Sequence, residues 1–381
     1  MLDFQVYQYS YLFFVSVLTF VAIGQYKVRT ISDFNDYYHK KSNWGYAYGV
    51  ILTIALSLII GLRAEDGQFS DSLNYRHQYY THLEGAYFQF DKEAENLIFD
   101  NLFAWWGSLR LGLSNFFLLM DVVYFGCMFL ACKRFFPKDT YIAFLCYLAA
   151  FSTFSYSFNG IKAGVAASIF LLAISYYKRW FICIPLVIIS WGFHHSMVLP
   201  VYAFIISHFY KNPKPFFFAW CICAVLSVLN ISYFQELFAN LAEESGDTRG
   251  AMYLSSGSDT GWEGKAGFRL DFLIYSAMPI IVGYIAIFKK KIKTNSIYDL
   301  LLKLYITTNS VWLLCMYVQY NNRIAYLSWF LYPIVLIYPF LNLNWSIFQL
   351  KYFSKVILLH LGFTLFMYLI YYGGLRLLLG I

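Results

Sequence analysis

Apolar residues in this chain come in long runs rather than in alternation with polar ones. The runs fall at 5–25, 46–62, 114–132, 140–158, 162–177, 180–194, 197–210, 215–234, 270–288, 298–318, 324–341 and 356–373. About 20 apolar residues in a helix cross the hydrocarbon core of a bilayer, and hydropathy reads such runs as transmembrane helices. The pattern predicts an all-α, polytopic integral membrane protein with about twelve transmembrane helices, forming one membrane domain over 1–381. The runs 180–194 and 197–210 are short, so they predict either a tight hairpin or one tilted helix with a broken end. The first run has no Lys or Arg before it and no small-residue cleavage site after it. It is therefore expected to stay as a span rather than to act as a secretory signal.

Composition agrees with the pattern. Of 381 residues, 60% are hydrophobic and only 13% charged, against about 25% charged in soluble proteins. Such a chain lacks the polar groups to cover a soluble surface. Its net charge of +7 raises nucleic acid as a partner. The basic residues, however, sit in short clusters between runs (Lys133, Arg134 and Lys138; Lys178 and Arg179; Lys289 to Lys291 and Lys293), and no aromatic-interleaved basic groove is present. That distribution fits cytoplasmic membrane loops, and no nucleic-acid partner is expected. The cysteines are odd in number, all within apolar runs and without a CxxC pair, so they are expected to pack.

Alternation of the basic clusters places two longer segments, 63–113 and 235–269, on the external side, with most of the carboxylates. Residues 96–111, with Trp105 and Trp106, predict an amphipathic helix lying in the interface. Residues 245–261 are rich in Ser, Gly and Asp and predict a mobile loop that covers a site.

No Gly-rich phosphate loop, HExxH or GxSxG motif occurs, and no cofactor or metal is called for. Five polar clusters remain, each at an external span end: Arg63 with Asp71 and Tyr75; Asn159 with Lys162; His194 and His195; Arg269 with Asp271; and Arg323. Ionisable groups near the hydrocarbon are costly, which makes them functional candidates. Each has a plainer reading as well. Arg63 and Arg323 could snorkel to headgroups, Asn159 could cap a helix, and the histidines could be interfacial hydrogen-bonders. Arg269 and Asp271 could pair, although positions i and i+2 diverge on a helix. The four cations arrive from four spans. Arginine forks and a lysine suit a phosphorylated lipid headgroup, and carboxylate or imidazole suits proton removal from a hydroxyl.

On these residues the chain resembles the EpsG family of bacterial exopolysaccharide proteins, which includes many Wzy-type polymerases. The shared pattern is Gly61-Leu62-Arg63, Asp71 to Tyr75, Asn159 to Lys162, His194-His195-Ser196, Phe268-Arg269-Leu270-Asp271-Phe272 and Arg323, covering roughly residues 55–335. Lys162 stands where the family usually has Arg; it keeps the charge but loses the planar fork. The resemblance implies a GT-C-like membrane glycosyltransferase fold in the bacterial cytoplasmic membrane, with its active site facing the exterior. It also implies polymerisation of undecaprenyl-pyrophosphate-linked repeat units, with a lipid-linked donor and acceptor, and a chain-length regulator and a flippase as partners. Catalysis would then fall to His195, Asp71 and Asp271. Substrate binding would fall to Arg63, Lys162, Arg269, Arg323, Asn159, Tyr75 and His194. The rival readings are a flippase or transporter of lipid-linked sugars, a membrane O-acyltransferase, and an O-antigen ligase.

Overall fold

In the computed structural model of the chain, residues 3–33, 45–65, 71–231, 233–244, 267–318, 321–343 and 349–371 are described. The loop expected over 245–261 lies outside them, as does most of the 235–269 segment. Every regular element among the described residues is a helix. In order they are α1 (Phe4–Asp33), α2 (Tyr46–Gly61), α3 (Asp71–Gln78), α4 (Leu97–Ser108), α5 (Leu113–Phe135), α6 (Thr140–Leu148) and α7 (Phe151–Phe158). They continue with α8 (Ile161–Ser175), α9 (Trp180–Phe193), α10 (Val198–Phe209), α11 (Lys214–Val228), α12 (Tyr233–Glu244), α13 (Leu270–Tyr284), α14 (Ser296–Leu314), α15 (Asn321–Trp329), α16 (Tyr332–Asn342) and α17 (Gln349–Leu365).

Five stretches among the described residues are long and apolar enough to cross a bilayer: Phe4–Gln25, Leu113–Phe135, Leu270–Lys289, Asn321–Asn342 and Tyr352–Tyr371. The count rises to seven if two bent pairs, α6 with α7 and α11 with the start of α12, each make one span. Large apolar side chains such as Phe13, Ile51, Phe181 and Phe218 are exposed, as lipid-facing positions require. The chain is a multi-pass α-helical membrane protein. The expectation of about twelve full-length spans is not met. Several apolar runs form helices of 10–17 residues, among them α2, α8 and α9. The 16 residues of α2 reach about 24 Å at 1.5 Å per residue, short of the roughly 30 Å hydrocarbon core. Hydropathy also merges runs that the backbone breaks.

The described residues fall into two compact units. The first comprises Met1–His194, Phe340–Asn342 and Ser346–Ile381; the second comprises His195–Pro339 and Leu343–Trp345. In the first, α2 packs on α5, α5 on α8 and α8 on α9, while α1 packs on α6 and α17.

The run 140–158 is not one straight helix: α6 and α7 meet at a bend of 72°. A break exposes carbonyls that lipid cannot hydrogen-bond, so protein side chains must do so. Tyr11 donates to the carbonyl of Leu148 at 2.7 Å, Thr364 to that of Ala149 at 2.8 Å and Tyr368 to that of Phe151 at 2.9 Å. His360 Nε2 reaches the carbonyl of Cys146 at 3.0 Å, and Thr153 donates to that of Tyr147 at 2.7 Å. Thr153 belongs to α7 itself; the other four groups come from α1, α17 and the segment after it, which pins the break in place. The break in turn fixes where α7 delivers Phe158, Asn159 and Gly160.

The second unit is held by aromatic packing and a buried polar chain. Tyr275 and Tyr332 stack with ring centres 4.0 Å apart, and Trp329 donates to Ser276 Oγ at 2.8 Å. Trp220 donates to Asn309 at 2.8 Å, and Asn309 donates to Ser328 at 3.1 Å. Every buried polar group in that chain has a partner, which is the condition under which such groups hold helices together.

Candidate functional site

In the first unit the site is built from the end of α2. Gly61 stands so close to α5 that a Cβ there would lie 2.6 Å from the Cα of Leu118. Only glycine permits that approach, and it brings the next turn of chain against α5. Arg63 leaves the helix there and folds back. Its Nη1 donates to the carbonyl of Ile60 at 3.0 Å and to Asp121 Oδ2 on α5 at 3.1 Å. The guanidinium lies over the rings of Phe117, at 4.4 Å, and Phe158, at 5.2 Å. The phenols of Tyr7 and Tyr75 are within electrostatic range. Arg63 is 1% exposed and Asp121 2%, so the snorkelling alternative for Arg63 does not hold. Nε and Nη2, the two nitrogens of its lateral fork, are buried and have no hydrogen-bond partner among the described residues.

Glu65 anchors the same turn. Its Oε1 accepts from the backbone N–H and hydroxyl of Ser114 at 2.8 and 2.6 Å, capping the first turn of α5. Its Oε2 accepts from the hydroxyl of Tyr80 at 2.8 Å. Partial burial, and then that bond to a carboxylate, push the Tyr80 phenol up to about 12, so it remains a donor.

Asp71 opens α3, and its Oδ2 accepts from the backbone N–H of Gly160 at 2.9 Å. Gly160 has φ of 76°, the left-handed region that glycine enters without penalty, and it is the N-cap of α8. Asp71 therefore ties α3 to the positive end of α8. Asn159 does not cap that helix with its side chain: its backbone is extended and no side-chain cap bond forms. Its Oδ1 is buried with no partner among the described residues, as is the hydroxyl of Ser72 beside Asp71. Tyr75 packs against Phe99, Phe103 and Phe117, with ring centres 5.8–6.1 Å away.

Lys162, in the first turn of α8, pairs with Asp100 of α4 at 2.6 Å and lies over the ring of Phe99 at 4.7 Å. The other oxygen of Asp100 accepts from the backbone of Asn96 at 2.9 Å, just ahead of α4. Residues 97–108 are helical as the amphipathic pattern predicts, with Phe99 and Phe103 buried and Trp105 exposed.

In the second unit Arg269 precedes α13 with non-helical backbone. Its Nε and Nη2 grip Asp271 Oδ1 and Oδ2 at 2.9 and 2.6 Å. The objection that i and i+2 diverge presumed both residues on the helix, but only Asp271 is. The guanidinium also stacks on Phe272 at 3.8 Å. Met316 joins this motif to the last one: its sulfur accepts from the Arg269 N–H at 3.1 Å, and its carbonyl accepts from Asn321 Nδ2 at 2.7 Å. Arg323 is exposed on the first turn of α15. Met316 thus contacts the backbone of Arg269 and the side chain of Asn321, two residues before Arg323.

His194 ends the first unit with extended backbone, and His195 begins the second in a single 3-10 turn, His195–Met197. The runs on either side are therefore separate helices joined by a short break. Among the described residues no group of three or more His, Cys, Asp or Glu side chains is placed to share a metal ion. Sequence reasoning missed the two partners that matter most, Asp121 and Asp100. Each sits one helix away from its cation, and a lone Asp within an apolar run was the only signal for Asp121.

A family model of the EpsG family matches residues 46–375. No curated protein and no solved structure matches the chain. The match covers every polar cluster above, from Arg63 to Arg323. The chain belongs to the EpsG family, a family of Wzy-type polysaccharide polymerase-like membrane proteins.

Proposed function

We propose that this protein is a membrane glycosyltransferase that joins undecaprenyl-pyrophosphate-linked oligosaccharide repeat units at the external face of the bacterial cytoplasmic membrane, on a GT-C-like scaffold. In the transfer, the bond from the donor's anomeric carbon to the pyrophosphate oxygen breaks. A new glycosidic bond forms to the acceptor's sugar hydroxyl, and the hydroxyl proton passes to a base. The pyrophosphate leaves on its lipid carrier. Donor and acceptor both carry a pyrophosphate, and arginine is the side chain suited to bind it; Arg63 belongs to the first unit, Arg269 and Arg323 to the second. Fixed cationic donors stabilise the negative charge that grows on the leaving oxygen. The transfer is read as metal-independent, with side-chain cations in that role.

The observation that carries this reading is the lateral fork of Arg63. A buried guanidinium with two unpartnered nitrogens is costly unless something accepts from them, and a phosphate presents paired oxygens at the matching spacing. The rings of Phe117 and Phe158 cover the guanidinium, so substrate reaches it only when that aromatic wall shifts. Tyr75 packs on Phe117, and Asn159 directly follows Phe158, the two rings over the guanidinium. Lys162 adds positive field at the start of α8, and His194 contributes a polar edge to the substrate. His195 or Asp71 serves as base; Asp71 gives one carboxylate oxygen to Gly160. Asp271 orients Arg269 through both its oxygens. A chain-length regulator and a flippase are the partners such an enzyme works with.

The test is the polymer ladder made by Arg63→Ala, Arg269→Ala and His195→Ala, each at matched protein level. Ladders that collapse to single repeat units are expected. Normal ladders from all three would overturn the assignment. Acylated product from the purified protein would instead favour the acyltransferase reading.

A further inference from the structure

We infer that Asp121 is a positioning residue: it holds Arg63 by Nη1 so that the Nε–Nη2 fork faces the pyrophosphate. This rests on the polymerase reading of Arg63 and adds a residue to it. Asp121 lies midway along α5, inside an apolar span, where an unpaired carboxylate is costly. Its side chain makes one contact to a cation, Nη1 of Arg63 at 3.1 Å, with both side chains essentially sealed from solvent.

The surroundings leave Arg63 little freedom except the rotation that Asp121 controls. Gly61 wedges α2 against the backbone of Leu118, one turn before Asp121. The hydroxyl of Ser57 donates to the backbone carbonyl of Asp121 at 3.3 Å, fixing the level of α2 on α5. Phe117 and Phe158 then set the plane of the guanidinium. Within that plane, Nη1 has two acceptors, Ile60 O and Asp121 Oδ2. A carboxylate gripping the lateral edge would close the fork. Asp121 engages the terminal nitrogen instead, so it offsets the buried charge and leaves the fork available.

Position and charge can be separated by two substitutions. Asp121→Glu keeps the charge but moves the acceptor by a methylene. Asp121→Asn keeps the acceptor in place but removes the charge. The test uses the purified full chain in detergent with inorganic pyrophosphate as probe. The apparent Kd is read from the rise of the thermal midpoint with pyrophosphate, and the midpoint without pyrophosphate reports fold. Asp121→Glu should raise the Kd about tenfold, whereas Asp121→Asn should stay within about threefold of the unaltered protein. In an Arg63→Lys background, which has no fork to aim, Asp121→Glu should not weaken binding further.

Equal weakening by Glu and Asn, or no change from either, would overturn the inference while leaving the pyrophosphate reading intact. A purely structural Asp121 would lower the pyrophosphate-free midpoint in both variants and leave Kd alone, which also overturns it. If pyrophosphate does not stabilise the unaltered protein at all, the reading of Arg63 falls and this inference falls with it.

Discussion

Arg63 in the first unit and Arg269 in the second come from similar short motifs and end in opposite states. Both guanidinium groups lie on a phenylalanine ring, at 4.4 Å for Arg63 and 3.8 Å for Arg269. Both pair with an aspartate. Asp271 is two residues along the chain and closes the lateral fork of Arg269 with both oxygens. Asp121 comes from a neighbouring helix, reaches only the terminal nitrogen of Arg63, and leaves the fork unpartnered among the described residues. The carboxylate's direction of approach therefore decides whether an arginine is available to a phosphate or already engaged. A phosphate gains the fork of Arg269 only by displacing Asp271, whereas at Arg63 no carboxylate among the described residues stands in the way.

Arg63→Lys is the strongest way to break that contrast. Lysine still compensates Asp121, so the protein should accumulate normally, which Arg63→Ala does not guarantee: removing one partner of a buried pair costs about 3–5 kcal/mol. Lysine lacks the planar fork. Polymerisation should fall by about a hundredfold or more, the scale of losing a fixed transition-state donor. The measurement is ladder intensity against immunoblotted protein, and a wild-type ladder would mean that charge alone suffices. Asp271→Asn comes next. If Asp271 only orients Arg269, an amide that keeps one acceptor should cost roughly tenfold, about 1–2 kcal/mol. A loss matching that of Asp271→Ala and exceeding a hundredfold would instead make Asp271 the base.

The same contrast marks what was legible in the sequence. Apolar runs announce a multi-pass helical protein because lipid demands them, and the motif residues from Arg63 to Arg323 stand out because charge at a span end is expensive. The pairings did not show. Asp121 reads as an isolated charge until α5 is laid against α2, and Asp100 reads as a loop carboxylate until α4 meets α8. Nor did the break at Ala149 and Ala150 show, because Tyr11, His360, Thr364 and Tyr368, which satisfy its carbonyls, lie over a hundred residues away in sequence. Hydropathy sees the run and cannot see the remote hydroxyls that allow the run to bend. The pairing of Arg269 with Asp271 was discounted for a different reason: i and i+2 diverge only when both residues are helical, and Arg269 precedes the helix with non-helical backbone.

Gly61→Ala sharpens the contrast from the backbone side. The added methyl would meet the Cα of Leu118 at 2.6 Å, and a backbone neighbour cannot swing away as a side chain can. α2 must then move off α5, with a cost of about 1–3 kcal/mol. Arg63 would move with it, away from Asp121. A several-fold loss of ladder and a lower thermal midpoint are expected together, and Asp121→Asn should add little to either. Full activity in Gly61→Ala would mean that the fork needs no such tight placement.

Asp100→Asn should have the smallest effect, and there the sign matters more than the size. The Lys162 and Asp100 side chains are 16% and 24% exposed, so solvent screens the pair only in part, and its loss should cost about 1 kcal/mol, the upper end for a surface pair. The amide can still accept from the Asn96 N–H, so the start of α4 should survive. If Lys162 acts on substrate phosphate, removing its counter-charge frees the ammonium, and the KM for the lipid-linked donor should fall by about twofold to threefold. If Lys162 is a tether between α8 and α4, the same change loosens α4, and the KM should rise by a similar factor with kcat steady. Steady-state kinetics on the purified protein separates the two. A rise would place Lys162 with Arg269, as a cation already engaged by its own carboxylate, in contrast to Arg63, whose fork no carboxylate among the described residues engages.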